Sequence, residues 1–147
     1  MYQYTESGLR NVWLRNGYTI TDTSYGSVVN VQNLNGLIRA IANALVQKTD
    51  ALTSPEIRYL RHFIDISQKD FATFVGVQEQ TVSLWERSKQ RIPKSADVVL
   101  RALVLELLSG RLKFRELLDS ISLKNQSIEV DKFTFESINQ KDWLIAA

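Results

Sequence analysis

The most restrictive feature of this sequence is how densely helix boundaries are packed between Thr53 and Pro93. Thr53-Ser54-Pro55-Glu56 has the form of a capping box with proline in the first turn, where its missing N–H is no loss. Ser67-Gln68-Lys69-Asp70 repeats the [ST]-x-x-[DE] pattern. Gly76 supplies a left-handed stop, and Ile92-Pro93 closes a third segment running from about Glu79 to Arg87. Helices this short are not stable alone, so each must bury an apolar stripe against its neighbours. The stripes are present as Ile57, Leu60 and Ile64, then Phe71, Ala72 and Val75, then Val82 and Trp85. After Lys94-Ser95 a longer helix is predicted to about Ser109. Its Val98, Val99, Leu100, Leu103, Val104, Leu107 and Leu108 make it apolar on most sides, so it needs cover on more than one face.

Before this block, residues 11–32 have strand chemistry. Arg15-Asn16-Gly17-Tyr18 fits a two-residue type I′ turn and predicts a hairpin of Val12–Leu14 against Tyr18–Thr21. A second turn at Ser24-Tyr25-Gly26-Ser27 leads into Val28, Val29 and Val31, extending the prediction to a three-stranded antiparallel meander. Such a sheet is marginal alone. Leu37, Ile38, Ile41, Ala42 and Leu45, at helical spacing over about 34–48, are expected to cover it. After residue 110 the periodicity weakens: Phe114, Leu117, Leu118 and Ile121 suggest one more amphipathic helix. A polar stretch and a tail with Phe133, Phe135, Trp143, Leu144 and Ile145 follow. The fold class predicted is α+β, mainly α. A small antiparallel sheet with a helix fills residues 1–50, a helical domain 51–110, and a helical C-terminal extension 111–147.

Composition narrows the chemistry. The 147 residues include no cysteine and one histidine, His62. A disulfide framework, a thiol nucleophile and Cys-ligated zinc are thereby excluded, and a His-based metal cluster or Ser-His-Asp triad has almost nothing to build on. There is no glycine-rich phosphate loop and no acid–base pair at a telling spacing, so neither an enzyme nor a cofactor or metal site is expected. With 44% hydrophobic and 23% charged residues the chain can bury a core. The N-terminus lacks a signal-peptide pattern, and the greasiest window is broken by Arg101 and Glu106, so a cytoplasmic protein with no membrane partner is expected.

Net charge is only +2, but its distribution is uneven. Residues 51–110 hold eight basic and seven acidic side chains, while 87–94 contain Arg87, Lys89, Arg91 and Lys94 and no acid. Two short helices joined at Gly76-Val77-Gln78 beside such a run have the spacing of a helix-turn-helix with an electrostatic footprint for nucleic acid. Ala72 is small enough for the two helices to cross closely, and Val82 with Trp85 would lock the second one to the core. Its outward N-terminal positions are then free to enter a major groove. Gln78, Glu79, Gln80, Ser83 and Leu84 are the candidates for base readout. Gln80 can pair with adenine N6/N7, Glu79 can accept from cytosine N4, and Leu84 can touch a thymine methyl. Ser67, Gln68 and Lys69 at a helix N-terminus, together with Thr81, Arg87, Lys89, Arg91 and Lys94, are the candidates for phosphate contact.

The run Ile66-Ser67-Gln68-Lys69-Asp70-Phe71-Ala72, then Val75-Gly76-Val77, then Thr81-Val82-Ser83-Leu84-Trp85-Glu86-Arg87, with Lys89 and Pro93, resembles the Xre-type DNA-binding domain of phage repressors. The match covers about Thr53 to Leu108. The resemblance implies a five-helix, lambda-repressor-like helix-turn-helix domain and an internal Arg61–Glu86 ion pair joining its first and third helices. It also implies a homodimer on a palindromic double-stranded DNA operator. Either Val98–Leu108 or the aromatic tail after Phe133 could form the dimer interface. A small β domain followed by a helix-turn-helix is further similar to the MqsA and HigA class of antitoxins. The opening Glu6-Ser7-Gly8-Leu9-Arg10-Asn11-Val12-Trp13-Leu14 with Gly17 resembles the start of regulators of that layout. MqsA-like proteins hold that half with Cys-ligated zinc, and here a hydrophobic core must replace the metal. The function implied is a sequence-specific transcriptional regulator, an autorepressor and the antitoxin of a toxin–antitoxin pair. The alternative is a protein-interaction module that keeps the scaffold without reading DNA.

Overall fold

The computed structural model describes residues 1–110, 134–138 and 142–145. The fold is mixed α+β and mainly helical, with five helices and three two-stranded antiparallel sheets among the described residues. The chain divides into two compact units, Met1–Phe114 and Arg115–Ala147. No helix of the described residues is long and apolar enough to cross a membrane, and no group of His, Asp and Glu side chains among them is placed to hold a metal.

The first unit opens with β1 (Tyr2–Gln3) and β2 (Trp13–Leu14), which pair with each other. Next come β3 (Tyr18–Thr23) and β4 (Gly26–Val31), paired from Tyr18↔Val31 to Thr23↔Gly26 around Ser24-Tyr25. The sequence pattern predicted a different arrangement. Trp13–Leu14 goes back to Tyr2–Gln3 and not across Asn16-Gly17, so the three-stranded meander does not form. A type I′ turn needs positive φ at both central residues. Gly17 has it (φ 79°) and Asn16 does not, and the Gly17 carbonyl instead accepts from Gln32 N–H at 2.8 Å, extending the β3–β4 ladder.

The helix α1 (Leu34–Val46) starts at Asn33, whose side chain accepts from Gly36 N–H. It does not cover the hairpin as expected. Its buried residues Ile41, Ala42 and Leu45 serve a helical packing, chiefly against α5 (Lys94–Leu108) and α2 (Ser54–Phe63). The β3–β4 hairpin is left largely in solvent, with Ile20 54% and Val28 52% exposed.

The core lies among the helices. Ile57, Leu60 and Ile64 from α2, Phe71 and Ala72 from α3 (Gln68–Val75), Val82 and Trp85 from α4 (Glu79–Glu86), and Leu100, Leu103 and Val104 from α5 are all buried. Phe71 meets Trp85 edge-on with ring centroids 6.2 Å apart, the geometry that aromatic quadrupoles favour. Four helices, not five, occupy residues 51–110; α1 is the fifth. α5 is covered by α1 and α2, and still leaves Val98 and Leu105 more than half exposed.

In the second unit the described residues form one hairpin, β5 (Phe135–Ile138) against β6 (Asp142–Ile145), with Phe135 opposite Ile145. The aromatic tail is therefore β structure where a helical extension was predicted. The helix expected around Phe114–Ile121 and the residue Phe133 lie outside the described residues. Trp143 is 69% exposed and Trp13 55%, so neither packs into a core within the chain.

Candidate nucleic-acid interface

Two short helices meet here because the local signals stop each one where geometry requires. Ser67 caps α3, its hydroxyl accepting from Asp70 N–H at 3.0 Å. At the other end Gly76 adopts the left-handed conformation (φ 76°, ψ 32°), its N–H and that of Val77 both returning to the Ala72 carbonyl. That Schellman-like closure converges on the Ala72 carbonyl and turns the chain sharply toward α4. Ala72, 2% exposed, is small enough for α4 to pack closely over it.

Gln78 forms the N-cap of α4 in extended backbone and makes no side-chain cap hydrogen bond. Its side chain, with those of Glu79 and Gln80 in the first turn, is exposed. Thr81, Ser83 and Leu84 are half-buried. Ser83 is partly committed: its hydroxyl accepts from Arg87 Nε at 3.0 Å. The side of α4 that carries Gln78, Glu79 and Gln80 is therefore a polar, outward-facing turn at the positive end of a helix dipole, which Glu79 complements.

What fixes α4 is an ion pair. Arg61, 7% exposed on α2, donates through Nε to Glu86 Oε2 at 2.7 Å and through Nη2 to Glu86 Oε1 at 2.9 Å. Its Nη1 donates to the Ile66 carbonyl at 2.9 Å, so one guanidinium joins α2, the α2–α3 connection and the last turn of α4. A bidentate guanidinium–carboxylate contact of this kind constrains both distance and angle. After α4, Ser88 takes a left-handed conformation (φ 60°), and the backbone N–H groups of Lys89 and Gln90 both return to the Leu84 carbonyl. The basic loop is thus tied to the same helix. Arg87, Lys89, Arg91 and Lys94 are all exposed, and none forms an ion pair among the described residues. Of the residues singled out at the start of α3, Ser67 and Lys69 are exposed and Gln68 is half-buried.

Two acids are buried, which the sequence reading did not anticipate. Asp97 on α5 accepts from Leu52 N–H at 2.9 Å and from Arg101 Nε at 2.5 Å. Arg101 also donates to the carbonyls of Lys48 and Asp50, so the α1–α2 connection is pinned to α5. Glu56, 1% exposed, accepts from Lys48 Nζ at 2.6 Å and from Thr53 N–H at 2.9 Å. Burial pushes its carboxyl up, but the hydrogen bonds from Lys48 and Thr53 and the Lys48 charge outweigh that and leave it below the ordinary carboxylate value. The capping box gave Glu56 its bond to Thr53 N–H, and the i,i+4 spacing of Asp97 and Arg101 was the one signal for that pair.

No protein-family model matches the chain, and comparison with curated proteins and with solved structures returned no match.

Proposed function

We propose that this chain is a sequence-specific, dimeric DNA-binding transcriptional regulator of the helix-turn-helix kind, an autorepressor with the layout of an antitoxin. One observation carries the reading. The first turn of α4, held at a fixed angle by the Arg61–Glu86 pair, presents the exposed side chains of Gln78, Glu79 and Gln80 while four exposed cations, in no ion pair among the described residues, flank the same helix. On this reading α4 enters the major groove from its N-terminus and α3 braces it across the backbone. Gln80 reads an adenine edge through its amide, Glu79 accepts from cytosine N4, and Leu84 contacts a thymine methyl. Lys69, Arg87, Lys89, Arg91 and Lys94 neutralise phosphates, and the exposed N-terminus of α3 adds a backbone grip. No bond is made or broken; occupancy of the promoter is the activity. A single head reads few base pairs, so a second copy about one helical turn away on a palindrome completes the site.

The test is binding of the full chain to labelled duplex taken from immediately upstream of its own gene, read by fluorescence anisotropy at several salt concentrations. If about five phosphates are neutralised, affinity should fall by roughly three orders of magnitude between about 50 and 200 mM salt. Absence of binding, or binding indifferent to salt, overturns the reading and favours the protein-interaction module.

A further inference from the structure

A groove of about 540 Å³ runs between the N-terminal segment and α2; none of the residues proposed to touch DNA lines it, and it shares Glu86 with the ion pair that holds α4. Its outer wall is a preorganised turn. Tyr4 N–H donates to the Val12 carbonyl at 2.8 Å, Gly8 N–H to the Thr5 carbonyl at 2.9 Å, and the Ser7 hydroxyl links the Tyr4 carbonyl to Leu9 N–H. Leu9, 1% exposed, anchors that turn in the core. The floor joins α1 to α2 through Tyr59, whose hydroxyl donates to the Ile38 carbonyl at 2.9 Å. Tyr4, Ile38, Pro55 and Phe63 give the groove its apolar character.

Its charged groups are unequally committed. Two carboxylates line the groove, and both are engaged: Glu6 accepts from the Tyr2 hydroxyl at 2.6 Å, and Glu86 is held by Arg61. Arg58 lies on the exposed face of α2 and forms no ion pair among the described residues. One turn on, His62 Nε2 lies 3.4 Å from Arg61 Nη2. An apolar slot with a free guanidinium and an imidazole ring at i and i+4 is complementary to a ligand with a flat apolar body and one carboxylate.

We propose that this groove binds a small apolar monocarboxylate, its carboxylate on Arg58 and its body against Tyr4, Ile38 and Phe63. The bound ligand would lie beside Glu86, against the strut that sets the angle of α4. The site does not depend on α4 touching DNA, and its test uses no DNA.

Isothermal titration of the full chain with 3-phenylpropionate, and with 3-phenylpropanamide as the uncharged match, provides that test. The acid should bind at least about tenfold more tightly than the amide, with Arg58→Ala removing the difference and Arg58→Lys restoring part of it. An unfolding midpoint for Arg58→Ala equal to that of the unmodified chain shows that the loss is local. In amide NMR spectra the acid should shift residues 4–8 and 58–62. Equal affinity for acid and amide, a response unchanged by Arg58→Ala, shifts confined to another face, or no binding of either at millimolar concentration each overturns the proposal.

Discussion

Glu86 has both carboxylate oxygens committed to Arg61 and a side chain only 4% exposed, so its removal leaves a largely buried guanidinium without its counter-charge. Glu86→Ala should cost about 3 to 5 kcal/mol in urea unfolding, and Arg61→Met with Glu86→Leu should recover most of it, because the expense lies in the unpaired charge. A double variant as unstable as the single one would show that the apolar pair cannot fill the site. At the exposed end of the same helix the expected effects are on selectivity. Gln80→Ala should cost about 1 to 3 kcal/mol at one base position, while Arg91→Ala weakens all duplexes alike, as competition with single-base operator variants would report. Equal losses on specific and random DNA for Gln80→Ala would remove it from the readout set. The exposure of Gln78, Glu79 and Gln80 was legible from periodicity, since the inward face of α4 is Val82 and Trp85, whereas Ser83 and Leu84, also read as outward, are half-buried. The burial of Asp97 and Glu56 was not legible. Leu52, which Asp97 satisfies, is 45 residues away in sequence, and no local pattern announces so remote a partner.

The helices of the first unit follow their start and stop signals closely. α3 and α4 end where Gly76 and the residues before Pro93 require, and Gly76 shows why the identity of the residue matters. A Cβ placed there meets nothing within 4 Å, so the only obstacle to a side chain is the backbone conformation at φ 76°. Gly76→Ala should therefore lower stability by about 1 to 2 kcal/mol, with Gly76→Asn less harmful because asparagine tolerates that region. Equal losses for the two in thermal unfolding would point to a packing cause instead. Strands were harder to place. The turn at Ser24-Tyr25 was foreseen, but Asn16-Gly17 misled because the dipeptide permits a type I′ turn without compelling one. Only the tertiary partners, Tyr2–Gln3 for β2 and Gln32 for Gly17, decide the matter. A strand of two residues carries no periodicity, so that pairing had no signature. The same holds at the other end, where Phe135–Ile138 and Asp142–Ile145 are too short for alternation to be told from a helical stripe.

Across the molecule, three ion pairs are formed among the described residues, and Lys48–Glu56 carries a pH dependence whose sign can be worked out. Glu56 titrates below its ordinary 4.5 in the folded chain, so it binds its proton less readily than when unfolded. The stability it contributes is complete above about pH 4.5 and fades as pH falls through the folded value. Urea unfolding of the unmodified chain and of Glu56→Gln should accordingly differ most at neutral pH and draw together as the medium is acidified; a gap independent of pH would assign the effect to packing. Lys48 and Glu56 span the same connection that Arg101 grips through the carbonyls of Lys48 and Asp50. The stretch from Lys48 to Leu52 reads in sequence as a natural place to cut, yet it is bolted down at both ends. A fragment starting at Ala51 should come out sticky and short-lived, for it would lose the aliphatic flank of α1 that shields α5. Native protease digestion should spare that peptide stretch and, among the described residues of the first unit, nick the protruding Ser24-Tyr25 tip first.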